Sequence, residues 1–256
     1  VLPSQRRDAV QRRLTAHGEA GFAELAEEFG VSEMTIRRDL EMLEAEGLAR
    51  RVRGGAISVV SRAYEPPFAV RTSTAADAKE AIGVAAAALI NDGDTVIIDV
   101  GTTTMALARA MHGKHGVTVV TASLPIAVEL GTDPDIRVVV TGGQVRAGEL
   151  SLTGGMAEDA FGALNCDLAF IGIAGICASP GLSEYNPEDA RVKQAAIGAA
   201  RRVIVLADAS KLGRVAFSTV APLPSVDVLV TEATADHPVA QEIAAAGVSI
   251  VEAKPA

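Results

Sequence analysis

From Thr95 onward the chain repeats one pattern: a short β-branched run, then a stretch long enough for a helix. The runs are TVIIDV, VTVVT, IRVVVT, DLAFIGI, VIVLA, VDVLV and VSIV, and the segments between them center on Met105, Ile126, Ala160, Val192 and Val239. Strands separated by crossover helices pair in parallel, and a parallel sheet must be covered on both faces. The pattern therefore predicts an α/β domain with a mostly parallel sheet. Aromatics are only 3% of the chain and Trp is absent, so Ala, Val, Ile and Leu must fill its core. In such folds ligands bind beyond the carboxyl ends of the strands, which directs attention to the loops that follow each run.

Upstream of this repeat lies a second pattern. Phe22, Leu25, Ala26 and Phe29 recur at helical spacing, as do Ile36, Leu40 and Leu43, and Gly30, Val31 and Ser32 separate the two sets. Ser32 is a good N-cap, and Val31 can pack onto Ile36. A helix-turn-helix follows, preceded by a helix from a Ser4 cap through Val10 and Leu14 to about His17, where Gly18 ends it. LARRV and AISVV, around Arg53, Gly54 and Gly55, read as a hairpin wing. In this motif the first turns of the second helix enter the major groove. The candidate DNA contacts are Ser32, Met34, Thr35, Arg37 and Arg38 on the helix, with Arg51 and Arg53 in the wing. Amphipathic helix pairs with surface arginines also occur in proteins that never meet DNA, so the pattern alone leaves both readings open.

The 256 residues suffice for two domains. We expect a winged helix-turn-helix over residues 1–60, a linker over 61–75 and a larger α/β domain over 76–256. The linker reading rests on two prolines and a lack of sustained period in SRAYEPPFAVRTST; an Ala-rich helix follows, from Ala75 to Ile90. The net charge of −9 argues against coating nucleic acid by charge alone, but residues 1–63 hold ten Arg and ten acids and are neutral. Their arginines cluster at Arg6, Arg7, Arg12 and Arg13, at Arg37 and Arg38, and at Arg50, Arg51 and Arg53, which suggests a basic stripe.

Cys166 and Cys177 form neither a metal motif nor a disulfide framework, consistent with a cytoplasmic protein. Lys114 stands beside His112 and His115 and disfavours a metal there. The starting stretch VLPSQRRDAV has no apolar leader core and no run of about 20 apolar residues occurs, so neither secretion nor a membrane span is expected. No cofactor is expected.

The strand-end loops carry anion-binding chemistry. DVGTTTMALA places Asp99 at a strand end, then Gly101, then Thr102, Thr103 and Thr104 at a helix start, where free N–H groups and the helix dipole favour phosphate. TGGQVR supplies Gly142 and Gly143 for close backbone approach, followed by Arg146. Lys193 and Lys211 lie in DARVK and ADASKLG. Each has a plain structural reading too: threonine is an ordinary N-cap, Gly-Gly an ordinary turn, and a lone lysine is usually solvated. Their recurrence at several strand ends favours a site.

These motifs carry a resemblance. FAELAEEFGVSEMTIRRDLEMLEAEGLARRVRGGA resembles the N-terminal domain of DeoR-family transcriptional regulators. IIDVGTTT, TASLPIA, TGGQVR, DLAFIGIAGI, GLSEYN, DARVKQAAI and ADASKLG follow the order of that family's sensor domain. The resemblance implies a sensor similar in fold to sugar-phosphate isomerases, with phosphate contacts from Gly101 to Thr104. It places Asp99, Ser123, Gly142, Gly143, Arg146, Lys193, Asp208 and Lys211 around a phosphorylated sugar. The chain departs from the family pattern at Arg53, where His is usual, at Ala122, where Asn is usual, and at Asp189, where Glu is usual.

The rival reading is a sugar-phosphate isomerase or deaminase with an appended DNA-binding domain. That chemistry needs a carboxylate base near the substrate's C1 or C2. Where the isomerase pattern has acids after the strand corresponding to DLAF, this chain has Ile171, Gly172, Ile173 and Ala174. Asp99 and Asp208 keep the rival open. The expectation is a regulator, a repressor of carbohydrate-metabolism genes, that binds a double-stranded DNA operator. It responds to a phosphorylated sugar and forms a homo-oligomer, a dimer or tetramer, because one small recognition domain rarely buries enough DNA. The sequence leaves the sugar and the operator open.

Overall fold

In the computed structural model, residues 3–17, 19–59 and 62–254 are described. They form two compact units that divide between Pro66 and Pro67.

The first unit opens with α1 (Pro3–His17), followed by β1 (Glu19–Gly21), α2 (Phe22–Phe29), α3 (Glu33–Ala45), β2 (Ala49–Val52) and β3 (Gly55–Ser58). The helix α1 starts at Pro3, which puts Ser4 inside the first turn; proline there forfeits no helical hydrogen bond. Gly18, the expected stop signal, and Val60 and Ser61 lie outside the described residues. Val10, Leu14, Phe22, Leu25, Ile36, Leu40 and Leu43 close into one core, as their spacings predict. Ser32 caps α3, its side chain accepting from the Thr35 amide at 3.2 Å, and Gly30 ends α2 in the left-handed region. The wing has a strand that the sequence did not announce. β1 pairs antiparallel with β3, giving the order β1-β3-β2. A Cβ on Gly55 would sit 2.2 Å from the Ala20 carbonyl oxygen, so only glycine allows that pairing.

The expected basic stripe is partly consumed inside this unit. Arg6 is buried against Asp39 of α3, with Nε 2.6 Å and Nη2 3.3 Å from its carboxylate. Arg13 pairs with Glu24 and, at 3.3 Å, with Glu28. These arginines fasten α1 to the helix pair.

The second unit begins inside the stretch expected as linker: Phe68–Ser73 form a helix, α4. It continues through α5 (Ala76–Ala87), β4 (Thr95–Ile98), α6 (Thr102–Ala110), β5 (Val117–Thr121), α7 (Leu124–Leu130) and β6 (Ile136–Val140). A hairpin of β7 (Gln144–Arg146) and β8 (Ser151–Thr153) precedes α8 (Gly155–Gly162) and β9 (Cys166–Gly172). Then come β10 (Gly175–Ile176), β11 (Leu182–Glu184), α9 (Pro187–Gly198), β12 (Ala200–Leu206), β13 (Ser218–Ala221), β14 (Val228–Thr231), α10 (Pro238–Ala245) and β15 (Ser249–Glu252).

Each β-branched run becomes a strand of one sheet, ordered β15-β14-β12-β9-β4-β5-β6 and parallel at every pairing. Alternation sorts the side chains. Val96, Ile98, Leu168, Phe170, Ile204 and Leu206 pack with α5, α6 and α7 on one face. Ile97, Ala169, Ile171 and Val203 pack with α8 and α9 on the other. The chain leaves β4 toward one edge, through β5 and β6, and returns to pair β9 on the other side of β4. The order reverses there, and in such sheets the ligand position lies beyond the carboxyl ends of the strands at the reversal, here β4 and β9. Short antiparallel pieces, β7-β8 and β10-β11-β13, flank the sheet.

Candidate DNA-reading surface and effector site

The seven residues expected to touch DNA divide by their partners. Arg51 is exposed but already paired: Nε is 2.7 Å from Glu44, Nη1 is 2.6 Å from Glu41, and its amide donates to Glu44 at 2.9 Å. Both bonds hold the Glu44 carboxyl below the usual carboxylate range. Arg51 thus clamps the wing strand β2 to α3. Arg37 lies over the Phe22 ring, 4.0 Å from its centroid, and pairs with Glu33 at 3.5 Å. Together with Arg53 and Gly54 it lines a groove between α3 and the wing. The Ser32 and Thr35 hydroxyls bond each other at 3.0 Å, which leaves one hydroxyl proton for an outside acceptor. Met34 and Arg38 are exposed on the far side of α3 from its core.

In the second unit the β4/β9 reversal is built around a buried ion pair. Asp99, one residue past β4, accepts from the Gly172 amide at 2.9 Å and from the Lys193 ammonium. Lys193 also donates to the Gly172 carbonyl at 2.9 Å and lies 3.3 Å from Glu184. All three charged side chains are buried. Burial pushes the Asp99 carboxyl up to about 6 even against the attraction of Lys193. For Lys193 burial acts downward, but Asp99, Glu184 and Asp189 outweigh it and raise its pKa. Beside this pair, Gly101 opens α6 at φ 144°, and the Thr104 hydroxyl turns back to its carbonyl at 3.0 Å. Thr103 is buried and Thr102 half-buried.

One turn before Lys193 on α9, Asp189 holds Arg146 at 2.7 Å and accepts from Ser151 at 3.0 Å. Asp189, the chain's departure from the family pattern, therefore reaches a cation through its shorter side chain. Ser151 bridges to Ser123, whose hydroxyl caps α7 by accepting from the Ile126 amide at 3.4 Å. Gly142 and Gly143 form the turn into β7. A Cβ on Gly143 would lie 2.6 Å from the Thr153 carbonyl oxygen.

A cationic cluster gathers around Lys211. Burial lowers the Lys211 pKa, Arg214 and Arg71 lower it further, and Asp208 and Glu184 oppose them. Lys79 is brought down to about 8 by burial, with Lys211 and Arg71 adding to the effect and Asp208 opposing it. The Lys79 ammonium donates to the carbonyls of Arg71 and, at 2.8 Å, Thr74, so α4 closes over it. Arg71 pairs with Glu149. Arg214 lies over the Tyr185 ring, 5.2 Å from its centroid. Asp208 accepts from the Ser210 amide at 3.0 Å and caps the turn that presents Lys211.

Residues 6–62 match the family described as the DeoR-like helix-turn-helix domain, and residues 74–233 match the DeoR C terminal sensor domain. The chain belongs to the DeoR family. It is a DNA-binding transcriptional regulator with a sensor domain. It is 34% identical over 252 residues to the HTH-type transcriptional regulator GlpR of Haloferax volcanii, covering 98% of each chain. It is 33% identical to the glycerol-3-phosphate regulon repressor of Escherichia coli, covering 90% of this chain and 91% of that one. Among solved structures, ribose 5-phosphate isomerase A from Methanocaldococcus jannaschii aligns with 54% of this chain and 55% of its own, at 17% identity and a TM-score of 0.41. No helix among the described residues is long and apolar enough to cross a membrane.

Within this DeoR-family sensor, sequence reasoning missed Arg71, Lys79, Glu149, Glu184 and Arg214. Arg71 sits in the stretch read as linker and Lys79 in an Ala-rich helix, where a lysine reads as solvated. The signal for Lys79 was positional: it shares a helical face with Ile82 and Ala86, both buried.

Proposed function

We propose that this protein is a repressor whose operator affinity is set by a phosphorylated sugar bound beyond the carboxyl ends of the sheet. The carrying observation is the cluster of Lys79, Lys211, Arg71 and Arg214. Burial and mutual repulsion depress both lysines, so an anion placed among them would relieve that repulsion and stabilise their charged forms. The start of α6 offers free N–H groups to the same kind of ligand. The sugar's hydroxyls would meet the polar side chains around Asp99, Arg146, Asp189 and Asp208. On the DNA side, Arg38 and Met34 face the bases, with Arg37, Arg53 and the Ser32/Thr35 hydroxyls at the backbone. The names of the relatives, repressors of a phosphorylated metabolite's regulon among them, favour this reading. A cytoplasmic homo-oligomer, dimer or tetramer, suits the symmetry of operators.

Operator binding followed by fluorescence anisotropy tests the assignment. Lys211→Glu and Thr103→Asp should leave operator affinity intact and remove most of the response to a sugar phosphate, since each puts a negative charge beside the phosphate. The dephosphorylated sugar should have no effect. Wild-type responses in both variants would place the effector elsewhere.

One observation favours an isomerase or deaminase: a carboxyl at about 6, Asp99, is in the range of a general base. Its Oδ2, however, is already shared by the Gly172 amide and the Lys193 ammonium. We therefore propose binding without turnover. Sugar phosphates incubated with the protein should show no new species by NMR; product formed at enzyme-like rates would favour the enzyme.

A further inference from the structure

The recognition helix carries four acids, which would repel DNA if they faced it bare. Each has a basic partner: Glu33 has Arg37, Asp39 has Arg6, and Glu41 and Glu44 share Arg51. Among the described residues, Arg38 is the one basic side chain of α3 with no acidic partner. It lies two residues past buried Ile36, and Met34 lies two residues before it, so both point away from the core. Met34 is 63% exposed, a large apolar side chain held in water beside a free guanidinium. Met42 is also exposed, but two turns further along, whereas the first turns of the second helix approach base edges.

We infer that Met34 and Arg38 form the base-reading pair, Arg38 taking a guanine and Met34 the methyl group of a thymine within about two base pairs of it. The inference rests on the DNA-binding role of this domain and specifies what it recognises. The spacing follows from geometry. Residues four apart rise about 6 Å along a helix, against about 3.4 Å per base pair. The chemistry follows from the side chains. A guanidinium matches the two acceptors on the guanine edge, and a thioether chain offers nothing to a hydrogen-bonding edge but covers a methyl. The carboxylates that would otherwise favour cytosine are held by Arg37 and Arg51.

The test begins by selecting duplexes from a random library with the full chain. The enriched half-site should contain a guanine with a thymine within two base pairs. Replacing that thymine by deoxyuridine, which removes only the methyl, should weaken wild-type binding about fourfold. It should leave the affinity of Met34→Ala unchanged. Replacing the guanine by 7-deazaguanine should weaken the wild type about tenfold or more and Arg38→Ala hardly at all. Both side chains are exposed, so circular dichroism melts should coincide with the wild type. Equal losses in wild type and variant, or an enriched site without that thymine, overturn the pairing. Failure to enrich any sequence would instead count against DNA reading by the domain as a whole.

Discussion

At the scale of single residues, two arginines that each close an Arg-Arg pair in the sequence have opposite duties. Arg38 is free and faces outward, whereas Arg51 holds Glu41 and Glu44. Arg38→Ala should therefore weaken operator binding by about 1–3 kcal/mol with an unchanged melting temperature. Arg51→Ala should weaken it through a displaced wing, which amide hydrogen exchange in Ala49–Ser58 would report as faster. If the two variants behave alike in both measurements, the division is wrong. Lys193 and Asp99 form the other decisive pair. Lys193→Met leaves Asp99 and Glu184 buried without their cation and should destabilise the sensor domain by about 3–5 kcal/mol. Adding Asp99→Asn should recover part of the loss. Denaturant unfolding of both variants decides this, since additive losses would deny the coupling.

At the scale of elements, the loop between β4 and α6 leaves little room for change. Gly101 sits at φ 144°, where an L side chain is strained, and a Cβ there would stand 3.3 Å from the Thr104 hydroxyl. Gly101→Ala should cost about 1–3 kcal/mol of stability and displace the first turn of α6. Effector affinity should fall with it. A thermal shift that still reports full stabilisation by a sugar phosphate would remove this loop from the site. The helix α9 plays the complementary part: its Asp189 and Lys193, one turn apart, hold Arg146 and Asp99 and so register the β7-β8 hairpin against the sheet.

At the scale of the whole molecule, a phosphate bound among these cations would couple sensing to pH. Lys79 titrates near 8 in the free protein, and a phosphate dianion beside it would raise that value. Binding is then proton-linked: affinity is full below the free value and falls as pH rises through it toward the raised value in the complex. The phosphate is already a dianion above about pH 7, so its own titration does not mask the effect. Sugar-phosphate affinity should therefore drop between pH 7 and pH 9.5. Calorimetry in buffers of different ionisation enthalpy should show proton uptake near pH 8. Lys79→Arg, which stays charged, should flatten the profile; a flat wild-type profile would take Lys79 out of the effector's reach.

The elements with their own local code were legible in the sequence. Val, Ile and Thr runs became the strands of the parallel sheet because a strand buried on both faces needs apolar residues in both alternating sets. Ser32, Gly30 and the Ile36-Leu40-Leu43 stripe fixed the helix-turn-helix because caps and helical spacing act within a few residues. The two- and three-residue strands β1, β7, β8, β10 and β11 carry no such code. They are extended because a partner lies beside them, as Ala20 lies beside Ala56. The same holds for long cations. Nothing near Arg6 or Arg51 in the chain distinguishes them from solvated residues, and Lys79 is set apart only by its place on the buried stripe of α5. Their partners are Asp39, Glu41 and Glu44, and, for Lys79, the charges of Asp208 and Lys211. A charged side chain's role depends on how much water it loses and which charge replaces that water, and only the tertiary structure decides both.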